Sequence, residues 1–244
     1  MELLQVVGWT LLAAVGFWLW LSLWGLAAVA LLNAQPFASL EDPEAAIERA
    51  SGTFAPGWLD RHGFEADGAT QATGMLIVRY RGSDGQTDLA WYTALNRTWV
   101  EFRSELPGNL HITTNNSNIG VSLPLPTGTL IQYFPERDID ALLRTHRAAL
   151  AFIHSRFGIA PVWVDSLEHS IRMSTHASCA EIMMNPKILL ALPYRNFVGK
   201  HRFRNQTIEE QFQRGLVRRR HVAAFELTQR HAGTWARSDT SHEA

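Results

Sequence analysis

Apolar and polar positions divide the chain into three regimes. From Val6 to Leu32 the sequence runs 27 residues without a charge or a proline. As a helix this stretch would be about 40 Å long at ~1.5 Å per residue. The hydrocarbon core of a bilayer needs roughly 30 Å. Lipid offers no partner to free backbone groups, so the expected form is a transmembrane helix over residues 1–35. A cleaved signal peptide is the rival reading. Its apolar core would be about 7–15 residues long and would follow a basic start, whereas this chain starts Met-Glu, with neither Lys nor Arg before the apolar run. Trp9 suits an interfacial belt, and Trp18, Trp20 and Trp24 sit deeper. Trp20 and Trp24 are four apart and share one helix face. Trp18, Trp20 and Trp24 either contact lipid or are candidates for packing against another membrane helix or a large apolar cofactor.

Past residue 35 the pattern changes twice. Residues 36–73 read as a linker and one short helix: Asp42 looks like an N-cap ahead of Pro43 at the first helical position, and 52–73 read as irregular. From Gly74 the period is two. Met75–Tyr80, Asp88–Leu95, Trp99–Ser104, Leu110–Asn115 and Gly128–Phe134 are strand-like, separated by turn signals such as Ser83-Asp84-Gly85 and Pro107-Gly108-Asn109. In the third strand Val100 and Phe102 oppose Glu101 and Arg103, which predicts an antiparallel meander with one wetter face.

The period then becomes helical. Ile139, Leu142, Leu143, Leu150, Ile153 and Phe157 form one stripe over 138–157, with Gly158 as the stop. Short strands are expected at Val162–Val164 and Ser170–Thr175, and a last helix from Thr207 to about Arg230. The fold class is thus α+β. One transmembrane helix precedes an antiparallel sheet (74–135) packed against helices (136–232), and 233–244 form a frayed tail.

Charge sharpens the picture. Glu2 is the only charged residue before Glu41, and the whole chain carries a net charge of −1. That excludes a nucleic-acid protein read from overall charge. Residues 41–67 hold seven acids and two bases, while 195–230 hold nine bases and three acids. Lys200, Arg202 and Arg204 are candidates for anionic lipid head groups, at about 1 kcal/mol per basic residue near a surface. Arg218, Arg219 and Arg220 are candidates for a partner protein. Basic residues flank only the C-terminal side of the apolar run (Arg49, Arg61), which places the large domain in the cytoplasm. The 20 Arg against 2 Lys suggest a GC-rich genome, hence a bacterial inner membrane.

Chemistry is sparse. There is one cysteine, Cys179, so neither an internal disulfide nor a multi-cysteine zinc site is expected. No phosphate-binding loop, dinucleotide fingerprint, zinc-protease helix or nucleophile elbow occurs. The densest candidate cluster is His176, Cys179 and Glu181, where imidazole beside a thiol can make a nucleophile. Asp165 to Ser170 gathers acid, hydroxyls and imidazole. His146 lies on the apolar stripe of the 138–157 helix and is either a hydrogen-bonded core residue or a ligand. No cofactor and no metal are expected.

These features suggest a non-catalytic accessory or scaffold subunit whose partners are other integral membrane proteins. The alternatives are a tethered hydrolase or transferase using Cys179 and His176, and a lipid-surface domain acting through 195–220.

Overall fold

The computed structural model describes residues 2–34, 38–72, 74–94, 96–117, 125–162 and 202–238, with scattered positions between 176 and 194. Two compact units partition the chain. One comprises Met1–Pro36, Ile119–Pro126 and Ile171–Arg202; the other comprises Phe37–Asn118, Thr127–Ser170 and Phe203–Ala244.

In the first unit α1 spans Glu2–Ala34. Its stretch Gln5–Leu23 is long and apolar enough to cross a membrane. The same test is met by a signal sequence. Among the described side chains of α1 the large apolar ones are mostly open, with Trp9 72% and Leu23 66% exposed. Helical residues recur between His176 and Tyr194. There Ile182 is buried, while Met184 and Tyr194 are exposed.

The second unit is built on a seven-stranded sheet in sequential order. Its strands are β1 (Ala38–Ser39), β2 (Phe64–Ala72), β3 (Met75–Gly82), β4 (Asp88–Ala94), β5 (Arg97–Leu106), β6 (Leu110–Asn115) and β7 (Thr129–Tyr133). All neighbours are antiparallel except β6 and β7, which run parallel. This mixed sheet corrects the all-antiparallel expectation. A parallel pair requires the chain to return to the end where β6 begins before β7 opens, and nothing local in the strand sequences signals that return.

β1 and β2 also lie where linker and irregular chain were expected. β2 reads Phe-Glu-Ala-Asp-Gly-Ala-Thr-Gln-Ala, with little apolar alternation and a register shift between Ala66 and Gly68. Its strand form comes from pairing with β3, not from its own pattern. A bulge with Glu65 and Asp67 beside it also discourages edge-to-edge pairing.

Helices cover one face of the sheet. α2 (Pro43–Ser51) starts as expected, with Asp42 accepting from the Ala45 amide at 2.9 Å. α3 spans Trp58–His62. α4 (Ile139–Phe157) is capped by Asp138, which accepts from the Ala141 amide at 2.7 Å, and is stopped by Gly158 at φ 66°. Trp58 Nε1 donates to Asp140 at 2.8 Å and ties α3 to α4.

The expected last helix is two helices. α5 (Ile208–Gln213) opens on a capping box between Thr207 and Glu210. α6 (Arg219–Ser238) continues beyond the expected end at Arg230, into the stretch read as a frayed tail. Gly215, at φ 64°, makes the break; a side chain there would be strained.

Two apolar clusters fill the covered face. Val78, Leu89, Trp91, Val100 and Phe102 pack with Ala46, Trp58, Leu142 and Leu143. Leu106, Ile112 and Leu130 pack with Ile153, Phe157, Ile208 and Phe225. The β7 edge is occupied: Asn205 donates to the Tyr133 carbonyl at 3.0 Å and Gln211 to the Ile131 carbonyl at 2.9 Å.

Candidate functional site

Two polar arrays lie on opposite faces of the sheet. Alternation decides their membership: even-numbered residues of β5 meet the helices and odd-numbered ones meet the other face.

The first array surrounds His146, which is fully buried (0% exposed). Its Nε2 lies 2.9 Å from Ser104 Oγ and its Nδ1 lies 2.8 Å from Thr114 Oγ1. Ser104 Oγ donates to the Gln86 carbonyl at 2.5 Å, so it receives the His146 Nε2–H. Gln132 Nε2 donates to Thr114 Oγ1 at 2.8 Å, so the Thr114 hydroxyl donates on to Nδ1. One neutral tautomer satisfies the whole chain. Gln132 Oε1 also accepts the Ile208 amide at 2.8 Å, which carries the chain into α5. Burial, and after it the charge of Arg147, drop the His146 pKa to about 3. Serine beside histidine invites a nucleophile reading. Here the serine proton is committed to a carbonyl, and the imidazole donates to the hydroxyl instead of accepting from it. With Ser104 only 2% exposed, the array crosslinks the sheet, α4 and α5.

The second array is charged and occupies the face away from α4. The register sets Arg81 opposite Asp88, Asp88 opposite Arg103, and Arg103 opposite Thr113. Arg81 also reaches Asp67 at 3.3 Å, and Arg103 holds Glu105 at 2.7 Å. A parallel row sets Glu101 between Ala90 and Asn115. Asn115 Nδ2 and the Tyr92 hydroxyl both donate to Glu101 at 3.4 Å, and Tyr92 stacks on Trp99 with centroids 5.2 Å apart. A third row sets Glu105 opposite His111, and His111 Nε2 meets Thr129 Oγ1 at 2.9 Å.

On β5 this face is the wetter one, as expected: Glu101 and Glu105 are half-buried where Val100, Phe102 and Ser104 are buried. Its centre is nonetheless dry, with Arg103 only 5% exposed and His111, Thr113, Asn115 and Thr129 buried with it. Burial raises the Glu101 pKa, and burial followed by the Arg103 charge holds His111 well below its ordinary value. Asp88 is raised to about 6, chiefly by burial; Arg81 and Arg103 pull it down while Asp67 and Glu105 push it up. A carboxylate that changes charge near neutral pH can take up a proton or serve as a base.

The sign of the linkage follows. A folded-state pKa raised above the unfolded value near 3.8 gives stability that is full below that value and lost as pH rises through about 6. Asp88→Asn is expected to flatten this part of the stability profile between about pH 4 and pH 6, as measured by thermal unfolding in a pH series. An unchanged profile would remove Asp88 from the titration.

The candidates from sequence lie only partly among the described residues. His176 is an exposed helical residue, Glu181 is half-buried, and Cys179 lies outside the described residues, as do Lys200 and the Asp165–Ser170 segment. Among the described residues no three His, Cys, Asp or Glu side chains form a metal-holding group. Trp18 and Trp20 are exposed on α1, where Trp20 stacks on Phe17; of Trp24 only the helical backbone is described. Arg202, Arg204, Arg218 and Arg219 are exposed and Arg220 is half-buried. Arg204 pairs with Glu136 at 3.2 Å.

Sequence reasoning passes over Asp88, Glu101, Arg103 and His111 as site residues. The usable signal was parity: these residues share one face once neighbouring strands are put in register. No family model matches the chain, nor does any curated protein or solved structure. A functional reading therefore rests on this chain's own residues.

Proposed function

We propose that the protein is a non-catalytic, single-pass membrane protein that serves as an accessory or scaffold subunit of a membrane complex, with its sheet domain on the cytoplasmic side of a bacterial inner membrane. One observation carries the reading: α1 exposes large apolar side chains around its circumference, Val6, Trp9, Leu12, Phe17 and Leu23 among them. A soluble core helix would cover at least one face. In lipid such a helix needs no protein cover, and its tryptophans offer a surface to other membrane helices. The exposed Arg218 and Arg219 offer a soluble contact to the same partners.

The absence of an ionisable group from Gln5 to Leu32 argues for anchoring and packing over ion or proton conduction. The anchor is expected to remain in the membrane pellet after alkaline carbonate extraction, and the extracted chain to have the intact mass of a protein that keeps α1. Release into the supernatant, or a mass lacking the first thirty or so residues, would overturn the anchored reading.

A further inference from the structure

The route of the chain into the sheet indicates which end of the domain meets the bilayer; the inference rests on the anchored reading above. α1 closes at Ala34 and β1 opens at Ala38. Three residues connect them, a reach of about 15 Å at ~3.8 Å per Cα step. The apolar sequence continues to Leu32. Burying it brings the connector to the headgroup layer, which adds roughly 5–7 Å on each side of the hydrocarbon core.

β1 pairs as Ala38↔Gln71 and Ser39↔Thr70. The chain therefore enters beside the last residues of β2, at the end where β2 turns into β3 (Ala72↔Met75). Antiparallel register brings the β4–β5 turn (Ala94↔Arg97) to the same end. The last residues of β6 and β7, Asn115 and Tyr133, are there too, with Arg204 bridged to Tyr133. Gly74, Asn96, Arg97, Thr98 and Arg204 are exposed. Neither 71–75 nor 93–98 contains a carboxylate; Glu136 is paired with Arg204.

The opposite end carries the β3–β4 turn with Asp84, and the Pro107–Asn109 turn. α6 lies at that opposite end, since a side chain at Gly108 would meet Thr228 and His221 is close enough to His111 to act on its charge.

We propose that the hairpin ends carrying Gly74–Met75 and Asn96–Thr98 rest in the lipid headgroup layer, with Arg97 against anionic phosphates. Arg218, just before α6, and Arg219, on its first turn, precede the part of α6 that lies at the end away from the bilayer. This divides the basic residues by partner: lipid at one end, protein or solvent at the other.

The test uses the full chain in nanodiscs of phosphatidylcholine and phosphatidylglycerol that contain a headgroup-spin-labelled lipid. In a Cys179→Ala background, Thr98→Cys and Gln86→Cys each receive the same small fluorophore. The expected result is loss of most fluorescence at position 98 and none at position 86. Equal quenching at the two positions, or stronger quenching at 86, in protein that co-elutes with the discs would overturn the orientation while leaving the anchor standing. Protein that fails to enter the discs would overturn the anchored reading and this proposal with it.

Discussion

Replacing His146 with alanine is expected to destabilise the sheet domain by about 3–5 kcal/mol, the range for emptying a fully buried site, increased by hydrogen-bond partners left without a mate. In a domain of this size that is a fall in melting temperature of roughly 10 °C or more. His146, on α4, joins β5 to β6: it donates to Ser104 and accepts from Thr114. Removing it takes the acceptor from the Thr114 hydroxyl and the donor from Ser104, and cuts the Ser104 side off from the chain that runs on through Gln132 to the Ile208 amide.

Ser104→Ala removes one end only, and Thr87 and the Gln86 carbonyl remain near the turn; its expected cost is about 1–2 kcal/mol. The wild-type histidine also sets an acid limit. Its folded pKa of about 3 lies below the ordinary 6.5, so its contribution is full above about pH 6.5 and is lost as pH falls toward 3. His146→Ala should lose that part of the acid sensitivity. Thermal unfolding of the detergent-solubilised chain reads both effects, and a shift of only a degree or two would contradict the crosslinking role.

Arg103→Met is the second large effect. Arg103 is buried against Glu105 and stands opposite Asp88, with Glu101 two residues away. Without the guanidinium, carboxylates face one another in a poorly solvated row. Breaking a buried pair from one side costs about 3–5 kcal/mol. The loss is expected to shrink in Arg103→Met/Glu105→Gln, because the second change removes one of the stranded charges. It should also shrink below about pH 6, where Asp88 takes up its proton. Denaturant unfolding of the four proteins of this cycle measures the coupling, with about 1 kcal/mol or more expected for residues in contact. Simple additivity would show that Arg103 is solvated by other means.

These two arrays also mark where sequence patterning reaches its limit. The α4 stripe, its Asp138 cap and its Gly158 stop are local signals, and the helix forms where they place it. The position of His146 on the buried side of α4 is legible for the same reason. Its partners are not, because Ser104 and Thr114 lie 42 and 32 residues away and only sheet register brings them there. The alternation in β5 tells which residues share a face, but not whether that face is open to water. Glu101 keeps the partly open environment that the alternation implies, while Arg103, on the same face, is buried. β2 escaped notice because its strand form is imposed by β3. The parallel β6–β7 pair escaped because its cause is a long-range return of the chain. Gly215 interrupts the last apolar stripe without announcing that the helix stops there; its positive φ is a property of the fold.

The claim that the chain is an accessory subunit is tested most directly by extracting the tagged native protein in mild detergent and identifying what comes with it by mass spectrometry. The anchored-subunit reading predicts stoichiometric recovery of one or more integral membrane proteins, weakened by changing Trp18 and Trp20 on α1 to alanine. Recovery of the chain alone, at native abundance and with α1 intact, would contradict it.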